Sequence, residues 1–263
     1  MLKHLKLIRI YIFSIIKAEM EYRLNFILGI FANILTYFLI YFSMYIITHR
    51  YGFLDGWNYK DLILLTSLDL FAYAIAVTWC WSFMVKTGEN IRNGKIDLIL
   101  CRPISLIFQL LMQSFAWTGI GQIIISGTYF IFICSSFNLT ICQIFLLILF
   151  IFSSSLIQMG SMIIFGALNF WTPQVENLRG LVLYDMRNLI KYPISLYNNY
   201  IQFILTFILP WAFINYYPLK FLLHKYSEFH IIYVLNPIVG ISIFLGSLFF
   251  LKISINKYQS TGS

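Results

Sequence analysis

From Ile104 to Val175 this chain carries not one Asp, Glu, Lys or Arg. Water-soluble domains charge about a quarter of their residues, and here only 11% of 263 are charged. That scarcity excludes an ordinary soluble enzyme. Cysteine is equally sparse, and Cys80, Cys101, Cys134 and Cys142 show neither a CxxC pair nor metal-ligand spacing. They read as apolar fillers, although Cys134 and Cys142 flank one short connection and leave a disulfide open. The chain also lacks the residue sets of catalysis. Gly88 to Lys95 imitates a phosphate loop, but five residues separate its glycines where four are needed, and Ile96 stands where Ser or Thr would hold magnesium. His49, His224 and His230 place no two ligands on one helical face, which argues against a zinc enzyme. A single carboxylate inside an apolar run, Asp69, is one short of an aspartyl intramembrane protease and far short of a proton relay.

What is abundant is apolar surface: 60% of residues, with 19% aromatic. Without water in a bilayer, every backbone amide must be satisfied within its own segment, so apolar runs of about 20 residues are expected as helices. Six are predicted, at Leu24 to Thr48, Leu62 to Val85, Ile104 to Cys134, Ile141 to Trp171, Ile201 to Tyr216 and Ile231 to Leu251. The expected class is therefore an all-α polytopic membrane bundle in one domain, residues 1–263.

Lys and Arg distribution predicts orientation. Residues 1–23, the segment between the second and third runs, the segment between the fourth and fifth, and the tail hold fourteen of the eighteen basic side chains; only Arg50, Lys60, Lys220 and Lys225 remain for the other face. Both termini are thus expected in the cytoplasm. The net charge of +8 reads as topology and contact with anionic lipid rather than nucleic-acid binding, for which no module is visible. Residues 1–23 show no apolar core with a cleavage site, so no cleavable signal is expected. Their Leu2, Leu5, Ile8, Ile12 and Ile15 share one face, as in an interfacial helix on the cytoplasmic leaflet.

Asp69 needs a partner, since a carboxylate at mid-membrane costs about 2.5–3.5 kcal/mol on lenient scales. Two roles stand: a polar group on a translocation path, or a structural hydrogen bond to a neighbouring helix. Glycines and serines in the third and fourth runs permit close helix contact.

The densest charge between two apolar runs is Lys86 to Pro103, KTGENIRNGKIDLILCRP. Within it, Glu89 to Pro103 resembles the coupling loop of bacterial ABC-2 type transporter permeases. Trp211 to Pro218 and the ending Lys257 to Gly262 are similar to further stretches of that family. The resemblance implies a permease subunit of an ABC exporter in the bacterial inner membrane, paired with itself or a sister permease. It also implies two separate ABC ATPase subunits that bind ATP, so that this chain needs no cofactor and is not itself an enzyme. Glu89, Arg92, Gly94, Lys95, Asp97 and Arg102 would then meet the ATPase, with Ile91 to Leu100 as a coupling helix whose apolar residues seat in its groove. The rival classes are a secondary transporter or channel without an ATPase partner, and a membrane assembly protein. Inverted repeats or several intramembrane charges would favour the secondary transporter, and neither is evident.

Overall fold

The computed structural model of the chain describes residues 23–52, 54–101, 106–172, 175–225, 228 and 230–258. The expected interfacial helix over residues 1–23 falls almost wholly outside these, as do Arg102 and Pro103. Among the described residues the chain is helical, with one isolated bridge between Leu54 and Trp57 and no strand.

Four helices are long and apolar enough to cross a membrane: α1 (Arg23–Tyr51), α2 (Tyr59–Arg92), α6 (Ile141–Leu168) and α10 (Asn236–Asn256). The 34 residues of α2 make it the central element, packed against α6 and the helix Trp117–Cys134. It starts at a capping box, where Asn58 N donates to Asp61 Oδ2 at 2.9 Å. It runs on past the apolar layer to Arg92. Lys86 to Arg92, expected as loop, are thus its last two turns, because KTGENIR contains no proline and a single glycine, and the long side chains of Lys86, Glu89 and Arg92 favour helix and remain in water. Only Asn93 and Gly94 turn, with Gly94 left-handed at φ +63°, before the short helix α3 (Lys95–Leu100).

The third predicted span is broken. It comprises α4 (Leu106–Gln113) and α5 (Trp117–Cys134), separated at Ser114 to Ala116. The groups freed by the break are satisfied on α2: Ala116 N donates to Thr78 O at 2.8 Å, and Ser114 Oγ to Trp79 O. The sixth predicted run begins late, at Asn236, because Pro237 suits a first helical turn and not the interior. The α10 helix lies against α6 so closely that a Cβ on Gly240 would sit 2.6 Å from Ser153 O, whereas one on Gly246 would meet nothing within 4 Å. Gly240→Ala is accordingly expected to destabilise the bundle by about 1–3 kcal/mol and Gly246→Ala to leave it unchanged. Thermal unfolding of the two variants in one detergent checks this; equal midpoints would refute the close approach.

The largest departure from expectation lies after α6. Ile201 to Tyr216 is no single helix: Asn199–Ile208, which starts as α8 (Asn199–Phe203), and Trp211–Leu222, which ends as α9 (Tyr216–Leu222), are bent by 80°. Pro210 removes an amide and pushes Leu209 to φ −113°, ψ 87°. Three bonds to α6 follow the chain back outward after the bend, with Trp211 Nε1 donating to Ser161 Oγ at 3.2 Å, Ser154 Oγ to Ile214 O at 2.5 Å and Gln143 Nε2 to Leu222 O at 3.4 Å. Lys225 then pairs with Asp61 at 2.8 Å, at the first turn of α2. Ser195, just before the hairpin, shares a pocket with Lys225. The hairpin therefore enters and leaves at the Asp61 end.

What runs the length of α2 instead is the preceding segment, the short helix α7 (Val175–Arg179) with the π and 3-10 turns Gly180–Asp185 and Met186–Lys191. It lies antiparallel to α2: Arg92 pairs with Glu176, Arg179 Nη1 donates to Met84 O at 3.2 Å, Arg187 reaches Asp69, and Asn215 Nδ2 bridges Ile190 O and Leu65 O. Arg187, counted above with the basic residues of a connecting segment, is instead paired inside the bundle.

Candidate functional site

At the Arg92 end, α2 presents Lys86, Glu89 and Arg92 on one exposed stripe. Glu89 Oε1 accepts from Asn93 Nδ2 at 3.4 Å, and Arg92 lies 3.7 Å from Glu176. Both members of that ion pair are half-exposed, so it contributes at most about 1 kcal/mol. Lys95 is exposed. Asp97 is half-buried beside Tyr258 in the tail, whose hydroxyl is pushed above its ordinary range by burial first and then by that carboxylate. Arg102 lies outside the described residues.

The short helix α3 is bolted to its own chain. Ile96 is fully buried and Ile99 nearly so, and Gln109 Nε2 donates to Ile99 O at 3.3 Å. The expectation that the apolar residues of this helix seat in an ATPase groove is therefore corrected for Ile96 and Ile99, whose i and i+3 spacing aims both inward. Leu98, on the opposite face, is 68% exposed. Sequence reasoning missed it because it treated the apolar positions together; helical phase separates them.

In the core, Asp69 is fully buried and faces protein, not lipid. Arg187 Nη2 donates to both carboxylate oxygens at 2.9 Å, and Gln158 Nε2 on α6 donates to Oδ1 at 3.2 Å. The guanidinium carbon stacks 3.8 Å from the centre of the Tyr73 ring. The cavity beside the pair is about 20 Å³, room for one water. Asp69 thus borders no open path in this state. Its partner carries only a general signal in the sequence: an enclosed carboxylate requires a cation, and nothing local says which.

Among the described residues no three His, Cys, Asp or Glu side chains gather as a metal site. Cys134 and Cys142 are free thiols, so the disulfide left open above does not form.

No curated protein and no solved structure matches the chain. A family model described as ABC-2 family transporter protein does, over residues 34–262. Most of the chain lies in that match, four of the helices described above are membrane-crossing in length and apolarity, and association with ABC ATPases follows for the family in general. The chain belongs to the ABC-2 family of transporter membrane proteins, as a permease-type subunit.

Proposed function

We propose that this chain is the export permease of a bacterial ABC exporter, working in the inner membrane as a dimer with itself or a sister permease and driven by two separate ATPase subunits. The observation that carries this is the construction of the Arg92 end. A force applied at Lys95 and Leu98 passes through buried Ile96 and Ile99 into the bundle. It also passes through the two-residue turn into α2, a continuous helix of about 51 Å that moves as one rod. Asp69 couples that rod to the antiparallel segment through Arg187, so a push at the cytoplasmic end is delivered to two elements together. This chain supplies the path and the lever; ATP is bound and hydrolysed by the partner.

In this proposal the segment Val175 to Lys191 is the fifth crossing, and 199–222 dips in from the outside and returns. Six crossings and cytoplasmic termini are retained, with the fifth moved upstream. Side-specific labelling tests it. With the four native cysteines replaced by Ala, Leu196→Cys is expected to react from outside intact cells with an impermeant maleimide, and Leu178→Cys only after the cells are opened. Protection of both from outside would return the fifth crossing to 201–216, and the reverse pattern would keep this crossing and invert the orientation.

A further inference from the structure

A cavity of about 400 Å³ opens at the Asp61 end of the bundle, between the turn that precedes α2, the helix α9 and the 3-10 turn Ile231–Val234. Three buried aromatic residues line it, Trp57, Tyr216 and Tyr233. Lys220 Nζ is held among them, 5.4 Å from the centre of the Tyr216 ring, 5.2 Å from that of Tyr233 and 3.3 Å from Tyr216 Oη. Among the described residues no carboxylate stands within ion-pair distance of it. The second lysine of the lining, Lys225, is already neutralised: it pairs with Asp61 at 2.8 Å and donates to Gly56 O at 2.7 Å. That last bond also fixes the mouth. Asp55 and Gly56, both left-handed at φ +48° and +76°, form a two-residue turn closed by the Leu54 to Trp57 bridge, with Asp55 exposed at its tip. Glu228, also exposed, lines the same cavity. Neither carboxylate has a cation within ion-pair distance among the described residues. The cavity thus holds one uncompensated ammonium between its rings and two uncompensated carboxylates at its exposed mouth.

We infer that this cavity binds a zwitterionic phosphodiester, its phosphate on Lys220 and its ammonium toward Asp55 and Glu228. A bare anion would meet like charge at the mouth and a bare cation would meet Lys220, whereas a ligand of both signs complements both ends. The ammonium gains further from the aromatic faces. The volume lies in the range of about 300–1,000 Å³ that small-molecule sites occupy. Depth selects the anion: Trp57 and the tyrosines sit where the apolar run of α2 begins, at the level of lipid head groups. A phosphodiester beside an ammonium is the zwitterion of that layer, as the head group of a lipid or, freed of its chains, in solution. The site stands whether or not the chain is an exporter; only its opening to the cell exterior rests on the topology proposed above.

Calorimetry on the full-length permease in dodecyl maltoside, a detergent with neither charge nor phosphate, compares glycerophosphoethanolamine, glycerophosphoglycerol and ethanolamine. The first is expected to bind about tenfold tighter than either of the others, each of which offers a single charge. Lys220→Met is expected to lose that binding and Lys220→Arg to keep it. Asp55→Asn with Glu228→Gln changes two exposed side chains, and asparagine accepts the left-handed conformation of the turn. This double variant is expected to fold as the wild type does and to bind the two diesters with equal affinity. Ethanolamine binding as tightly as glycerophosphoethanolamine, an unchanged affinity in Lys220→Met, or a preference for the ammonium-bearing diester that survives the double variant overturns the site. Native mass spectrometry of the same preparations separates the two sources. Phosphatidylethanolamine retained over phosphatidylglycerol by the wild type, with that preference lost in the double variant, makes the occupant a lipid; calorimetric binding without such retention makes it a free diester. The absence of both saturable binding and selective retention overturns the proposal and leaves these charges as ordinary surface groups.

Discussion

An exporter assembled with Arg92→Glu, Lys95→Glu and Leu98→Asp in this chain is expected to lose its ATPase subunits on purification and to stop exporting. The permease itself should still insert at wild-type level. The three positions share exposure and differ in chemistry. Arg92 and Lys95 supply charge that steers docking, and their reversal acts chiefly on association. Leu98 is an exposed apolar side chain of α3, and full burial of a leucine side chain at an interface contributes about 2 kcal/mol. That alone corresponds to roughly thirtyfold in affinity. None of the three holds the bundle together, because the Arg92 to Glu176 pair is solvent-screened and Leu98 is largely exposed. Asp97 is left untouched: beside Tyr258, its reversal would disturb the tail as well as the surface. Ile96→Asp is the informative contrast. A charge there enters the buried core, so it should lower membrane levels outright. Co-purification together with membrane abundance reads both effects, and a triple variant that retains a stoichiometric ATPase would move the coupling surface to the exposed residues around Glu176 and Leu178.

The second large effect is expected at the buried ion pair. Asp69→Leu alone leaves the Arg187 guanidinium enclosed without its counter-charge, which costs about 3–5 kcal/mol, while replacing both partners by apolar residues is often neutral. Asp69→Leu should therefore lower the thermal midpoint sharply, and Asp69→Leu with Arg187→Met should recover most of it. Asp69→Asn is intermediate, keeping the hydrogen bonds and losing the charge. The double variant also separates the two roles left open for Asp69. Recovered stability with normal export makes the pair structural; recovered stability without export makes it part of the cycle, the link by which α2 moves the segment beside it. A single variant with an unchanged midpoint would show that the pair does not hold the fold.

The groove between α1 and α5, lined by Tyr37, Tyr41 and Ser126 among others, and the Asp69 to Arg187 ion pair sit on different sides of the legibility of this sequence. Tyr37, Tyr41 and Ser126 are unremarkable apolar-run residues until α1 and α5 are laid side by side, so no local signal could have found them. Asp69 was conspicuous from the first, as the one carboxylate in an apolar run, and its burial follows from desolvation alone. Its partner was misplaced because basic residues between spans are assigned to the cytoplasm by default. That default holds for solvated loops and fails where a buried acid recruits a base.

Length, apolarity and the absence of charge determined by themselves that this chain is a helical membrane protein, since a bilayer admits only helices and closed barrels, and barrel strands alternate in polarity where these runs are continuously apolar. The same local forces marked Lys86 to Pro103 as the segment that leaves the apolar layer. Tertiary structure decided the rest. Whether 175–191 or 201–216 runs the length of α2 depends on which segment the bundle can pack and pair with, and a count of apolar residues favours the wrong one. Pro210 bends the apolar segment into a hairpin, while Asp69, Asn215 and Met84 O give the more polar segment a hydrogen-bonded track along α2. Which face of Lys95–Leu100 is free was settled in the same way, by Ile96 and Ile99 finding room in the core and Leu98 finding none.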